Sequence, residues 1–302
     1  MSERVYCSEL AQAAGAQLAG TAVEVHLWLL IEYARPWRAK ALEVNELDPV
    51  ISQHLAALSE QALLQGVRLR TQFIKQGASD HRPRPLIYLC EGRDQPRQLR
   101  GELNAYKDLL KLSVDDLLAF NLPARMQPVV NDESMLLVCT NGQRDLCCAR
   151  FGLPLFENLR MEFGARAWQT THIGGHRYAP NLVCLPTGLV YGFVNPETAV
   201  DFIHQHDNGS LPLANLRGRA CYSPPLQAAE YFLRSALPAG QQYQPLTLTD
   251  EGEGWVGYTL SSGGRGRLAV AQQELPPVLA SCGAEPKPDY EFKLHTIQME
   301  NG

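Results

Sequence analysis

The run "LFENLRMEFGARAWQTTHI" (155–173) can be laid over "LSEQALLQGVRLRTQFI" (58–74), and Gly66 then falls on Gly164. Each run reads as the end of an amphipathic helix, a glycine stop and a strand. The likeness continues outward on both sides. Upstream, "WLLIEY" (28–33) matches the texture of "MLLVCT" (135–140). Downstream, "PLIYLCEG" (85–92) lies over "NLVCLPTG" (181–188), with Gly92 on Gly188. One insertion near residues 35–45 is required. Any two βαβ units share part of this pattern, so the aligned glycines are what favour a repeat. The sequence therefore predicts an α/β fold built from two βαβββα units, the first of them degenerate, over 1–125 and 126–206.

In the first unit the pattern predicts an opening helix (8–20), strands at 25–33, 67–74 and 85–90, and helices at 47–65 and 113–120. The 47–65 helix carries Val50, Leu55, Leu58 and Ala62 on its apolar side, and Ser113 is the N-cap of the later one. The second unit has strands at 134–140, 165–171, 181–185 and 189–194, with helices at 153–163 and 196–206. Asn195 caps the last helix and Pro196 sits in its first turn. Residues 207–302 predict a helix (224–237) and a small antiparallel extension with runs at 255–260, 267–275 and 290–297. "SSGGRGR" (261–267) reads as a hairpin loop, because it lacks the lysine of a phosphate-binding loop.

The 302 residues are 45% hydrophobic and 20% charged, the balance of a globular protein. A net charge of −5 and a pI near 5.9 argue against general nucleic-acid or anionic-membrane binding. No apolar run approaches the roughly 18 residues that span a bilayer. "MSERVYCSEL" has no signal-peptide design, so a cytoplasmic location is expected. In that setting the eight cysteines are thiols or ligands rather than disulfides.

The chemistry gathers in the second unit. Cys139 closes its first strand, Cys147 and Cys148 follow a polar turn, and His172 and His176 sit in "THIGGHRYAPN" (171–181). If strands 134–140 and 165–171 are neighbours, thiols and imidazoles meet at one end of the sheet, as a metal site requires. Gly174 and Gly175 disfavour a helix by about 1 kcal/mol each and suit a loop wrapped closely round an inorganic centre. Composition alone does not choose between zinc and iron–sulfur.

"VCTNGQRDLCCA" followed by "THIGGHRYAPNLVCLPTGLVYGFVNPE" resembles the sucrase/ferredoxin-like family, whose cluster domain is a thioredoxin-like ferredoxin. The likeness is dense over 134–197 and extends to "LAGTAVEVHLWLLIEY" and "LRGRACYSPPLQAAEYFLR" (216–234). It implies two thioredoxin-like units and a [2Fe–2S] cluster on Cys139, Cys148, His172 and His176. The family spacing leaves eight residues between its cysteines, which selects Cys148, with Cys147 as the fallback. Asn141 departs from the family, where histidine is common. The "sucrase" of the family name has no support here, since no paired-carboxylate motif nominates a glycosidase.

The expected function is one-electron transfer or redox sensing, by a carrier rather than an enzyme with its own substrate, with separate donor and acceptor proteins. Two imidazoles in place of two thiolates raise the potential. A histidine whose second nitrogen meets water couples electron to proton transfer. A thioredoxin-fold thiol–disulfide oxidoreductase is disfavoured by the lack of a Cys-x-x-Cys, and a zinc-stabilised binding protein is the other alternative. Arg144 and Asp145 read as an ion pair shaping the loop, or Arg144 as an offset to cluster charge or a guide for an acidic electron partner. Arg177 and Tyr178 would line the electron's exit. In the first unit Glu32 lies opposite Cys139 and Ile74 opposite His172, so that unit should hold no cluster. Cys7, Cys90, Cys184, Cys221 and Cys282 are expected as structural thiols, with Cys282 on an exposed turn.

Overall fold

In the computed structural model, which describes residues 5–77, 82–93, 95–123, 134–238, 240–252 and 254–300, a short helix α1 (Cys7–Ala13) precedes the first unit. That unit comprises β1 (Leu27–Glu32), α2 (Pro49–Leu64), β2 (Leu69–Lys75), the hairpin β3 (Leu86–Glu91) and β4 (Arg97–Glu102), and α3 (Val114–Leu118). The second comprises β5 (Met135–Cys139), α4 (Leu146–Phe163), β6 (Ala167–Thr170), β7 (Leu182–Leu185), β8 (Leu189–Tyr191) and α5 (Ala199–Asp207). In each unit the first strand is parallel to the second and antiparallel to the third, which pairs antiparallel with the fourth. The repeat read from the sequence is thus a repeat of topology. The expected boundary at 125/126 lies outside the described residues.

The units meet at a short antiparallel seam, Ile74 opposite Thr170 and Lys75 opposite Gln169, within one nine-stranded sheet ordered β4-β3-β1-β2-β6-β5-β7-β8-β9. The ninth strand, β9 (Leu216–Arg219), leads into α6 (Pro224–Ala236). A second, antiparallel sheet follows: β10 (Leu246–Gly252), β11 (Trp255–Leu260), β12 (Arg265–Val278) and β13 (Lys287–Glu300). The turn between β11 and β12 is the expected hairpin. β12 and β13 are longer than the sequence suggested, at 14 residues each.

Side chains alternate across a strand. Leu29 and Ile31 of β1 pack on Leu55 and Leu58 of α2, and Leu136 and Val138 of β5 pack on Leu155 and Leu159 of α4. Their neighbours Trp28, Leu30, Leu137 and Cys139 share a single cluster on the other face, so both units bury that face together. Two local expectations are corrected. α2 buries Ile51, Leu55, Leu58 and Ala62, while Val50 is 55% exposed, because Val50 lies about 100° round the helix from Ile51. α4 begins at Leu146 rather than 153, so Cys147 and Cys148 lie in its first turn and not in a loop.

Candidate metal centre

Asp145 starts α4: its carboxylate accepts the Cys147 N–H at 2.9 Å, the hydrogen bond of an N-cap. The helix then lies against the end of β5 because residue 152 is glycine. A Cβ there would stand 2.2 Å from the Cys139 carbonyl oxygen. Gly152→Ala therefore forces the helix off the strand end. Mid-helix glycine-to-alanine changes ordinarily stabilise by up to about 1 kcal/mol; here the expected sign is reversed, with a lower melting temperature and less bound metal. A variant at least as stable as the parent would contradict that close approach.

β6 runs parallel to β5 with Thr170 beside Cys139, so the loop leaving β6 begins at the same end of the sheet. Gly174 and Gly175 have φ of 97° and 69°, conformations that L side chains rarely adopt. Gly175 also lies flat on Arg217, whose Nη2 would be 2.2 Å from an added Cβ. Arg217, 2% exposed, donates to the Gly174 carbonyl (3.2 Å), Asn181 Oδ1 (2.7 Å), Thr21 Oγ1 (3.1 Å) and the Thr21 carbonyl. Burial draws its guanidinium down to about 10, still charged at neutral pH. From the first unit, Arg70 donates to the His172 carbonyl at 2.9 Å. Two arginines from distant segments thus pin the histidine loop.

The structure brings Cys139, Cys148 and His172 together. His172 Nδ1 is 3.9 Å from Cys139 Sγ and 3.7 Å from Cys148 Sγ. The donor atoms of all three lie within 4.8 Å of one another. His176 stands beside them, its ring centroid 5.0 Å from that of His172. Its Nδ1 is buried with no hydrogen-bond partner, and its Nε2 is 3.6 Å from Asp145 Oδ2. Cys147 points elsewhere, to Cys7 and Cys282.

The electrostatics ready Cys139 and His176 as ligands, whereas the hydrogen bond to Cys139 and burial hold the Cys148 thiol protonated, well above the ordinary thiol range. A hydrogen bond from the Cys148 thiol, opposed by burial and helped by His172, holds Cys139 well below the ordinary thiol range. Burial pushes the His176 imidazole down towards its neutral form, with Asp145 opposing. Burial alone would raise Asp145, but the N–H groups of Cys282 and Cys147, His176 and the Ser281 hydroxyl keep it below its usual range.

The expected ion pair beside the cysteines needs correction. Asp145 is not the partner of Arg144: its oxygens accept from Cys147, Ser281 and Cys282. Arg144 is exposed and borders two clefts, one of about 450 Å³ beside His176 and one of about 340 Å³ beside His172. Arg177 and Tyr178 line the larger cleft but are buried, and Arg177 is engaged by Asp289 at 2.6 Å. Asn141 is buried and donates to the Arg38 carbonyl at 3.1 Å, holding the segment inserted in the first unit. Cys90, Cys184 and Cys221 are buried thiols raised by that burial. Cys7 and Cys282, by contrast, are grouped with Cys147, and Cys282 is only partly exposed. In the first unit Glu32 accepts the Leu86 N–H at 2.9 Å and pairs with Arg82, while Ile74 is core.

Sequence reasoning missed Gly152, Arg70 and Arg217. A glycine inside a helical pattern signals close backbone approach and could have exposed the first. The arginines come from other strands and carried no local signal.

A sequence model described as sucrase/ferredoxin-like matches residues 18–218. No curated protein and no solved structure matches the chain. Among the described residues, no helix is long and apolar enough to cross a membrane. The matched stretch contains β1 through to β9 but for its last residue, with all four of the residues nominated as ligands, and the chain belongs to the sucrase/ferredoxin-like family.

Proposed function

We propose that Cys139, Cys148, His172 and His176 hold a [2Fe–2S] cluster and that the chain transfers single electrons or senses redox state through it. The observation that carries this reading is the buried, unpartnered Nδ1 of His176 next to the Cys139–Cys148–His172 group. Leaving such a nitrogen unsatisfied costs about 1–3 kcal/mol, which ligation removes. His172 also turns Nδ1 towards the two sulfurs. Two thiolates and two neutral imidazoles suit iron–sulfur ligation.

When bound, the cluster supplies a one-electron couple, at a higher potential than an all-cysteine cluster gives. The protein's own groups orient it. Asp145 Oδ2 stands 3.6 Å from His176 Nε2, an ion-pair distance at which the carboxylate favours a proton on that nitrogen and leaves Nδ1 to ligate. Arg70 and Arg217 set the loop and place positive charge beside Cys139. Exposed Arg144 offers an acidic partner protein a docking charge. Within this reading, residues 1–125 buttress the site through Arg70, residues 126–206 hold the cluster, and 207–302 cover its flank through Ser281 and Asp289. Eight free thiols fit a reducing compartment such as the cytoplasm.

Anaerobic iron and sulfide determination with an EPR spectrum of the reduced protein tests the proposal, the expected result being about two of each per chain. A colourless protein containing zinc alone would refute it. His172→Cys and His176→Cys should each retain iron and lower the midpoint potential by on the order of 100 mV. In the parent, a histidine proton coupled to the electron makes the potential fall as pH rises above the oxidised-state value. A potential flat from about pH 6 to 10 would remove that coupling.

A further inference from the structure

A second group of sulfurs lies on the far side of the α4 first turn. Cys7 from α1, Cys147 from α4 and Cys282 from the turn between β12 and β13 converge there. Their Sγ atoms are separated by 3.5 Å (Cys7–Cys147), 3.3 Å (Cys147–Cys282) and 3.6 Å (Cys282–Cys7). Asp145 Oδ1 is 4.0 Å from Cys7 Sγ, and all four donors lie within 4.8 Å of one another. We propose that Cys7, Cys147, Cys282 and Asp145 form a separate site for one zinc ion, which staples α1 and the β12–β13 turn to the start of α4.

The triangle has the size of one face of a zinc tetrahedron. Zinc–sulfur bonds of about 2.3 Å at tetrahedral angles separate the sulfurs by about 3.8 Å. The three observed edges fall within half an ångström of that, and far from the roughly 2.05 Å of a disulfide. A carboxylate is an accepted fourth donor. Its outer contacts are already made: Oδ2 accepts Ser281 Oγ and the Cys282 N–H, both at 2.9 Å. Cys7 and Cys147 are fully buried and Cys282 is partly exposed, which leaves an entry path on one side.

Packing alone explains the group less well. Buried thiols do act as small apolar side chains, and Tyr6, Phe151 and Leu279 surround these. But packing asks for no particular atom, whereas here three sulfurs from three distant segments point at one another. Cys7 and Cys282 also lie outside residues 18–218, so the site draws on parts of the chain beyond the family match.

The test measures zinc and iron separately in full-length protein purified under reductant, incubated with zinc sulfate and exchanged into chelator-treated buffer. The expected result is about one zinc per chain in the parent and in Cys148→Ser, and loss of zinc from Cys147→Ser and Cys282→Ser with iron retained. Cobalt(II) in place of zinc should give a thiolate charge-transfer band that those two variants lack. Cys282 is on a partly exposed turn, so its variant folds if any does, and its circular dichroism spectrum reports that directly. Three results overturn the proposal: no zinc in the parent, zinc retained in both variants, or a Cys147–Cys282 disulfide with no zinc uptake. Iron without zinc sinks this site alone, and zinc in Cys148→Ser without iron in the parent sinks only the cluster.

Discussion

If the proposed cluster is present, Cys148→Ser is expected to strip the protein of iron and colour, whereas Cys147→Ser, one residue away, is expected to leave both in place. Successive residues of an α-helix point about 100° apart, so two neighbours in the first turn of α4 cannot serve one centre. Cys148 turns inward to the cluster of Cys139, Trp168 and Ile173. Cys147 turns to Cys7 and Ala179. A ligand change removes the centre outright, so the effect is a loss and not a weakening. Serine differs from cysteine by one atom, which keeps the folding penalty of either change small, and far-ultraviolet dichroism should be unaltered in both. Iron, sulfide and visible absorption of the two variants, prepared side by side, decide the matter. Iron lost from Cys147→Ser and kept in Cys148→Ser would reverse the ligand assignment.

The central architecture was legible because burial imposes periodicity. β1 and β5 are buried on both faces and read as unbroken apolar runs. Gly66 and Gly164 end their helices with positive φ, which only glycine adopts freely, so the repeat left aligned marks. Where those constraints relax, the sequence falls silent. β9 and β10 were not anticipated, β4 was implied by the βαβββα pattern but given no place in the sequence, and all three are outer strands of their sheets. An edge strand is protected by charge rather than by apolar pattern, as Arg97, Arg100 and Glu102 of β4 illustrate. The early start of α4 was hidden because Gly152 and Pro154 interrupt the helical signal. At the site, residue type and family likeness were enough to nominate four ligands, of which the structure groups Cys139, Cys148 and His172, with His176 beside them. The supporting residues were not, because Arg70, Arg217 and Ser281 reach it only through the tertiary fold. The second sulfur group was invisible for the same reason: Cys7, Cys147 and Cys282 show no spacing that sequence could connect.

Glu230→Gln is expected to remove about 3–5 kcal/mol of unfolding free energy at neutral pH, the usual penalty for leaving buried charge uncompensated. Glu230, on α6, is buried between two arginines. Its Oε1 accepts from Arg219 Nη2 at 3.1 Å and from Arg234 Nε and Nη2 at 3.1 and 2.8 Å. Arg219 ends β9 of the large sheet, and Arg234 also donates to the Gln242 and Gln244 carbonyls at the approach to β10. One carboxylate therefore ties the nine-stranded sheet to the second sheet. Glutamine keeps the shape and an acceptor but strands two guanidinium groups. Burial alone would raise the carboxyl, yet Arg219 and Arg234 bring it from the usual 4.5 down to about 2. A depression of that size corresponds to about 3 kcal/mol by proton linkage, in line with the mutational figure. Because the folded value lies below the unfolded one, this stability is fully present above the unfolded value and is lost as pH falls through the folded one. The gap between parent and variant should thus be constant from about pH 7 to 5 and roughly halved by pH 3. Denaturant titrations across that range measure it. A gap under about 1 kcal/mol at pH 7, or one that does not narrow on acidification, would show that the Glu230 carboxylate does not hold the two sheets together.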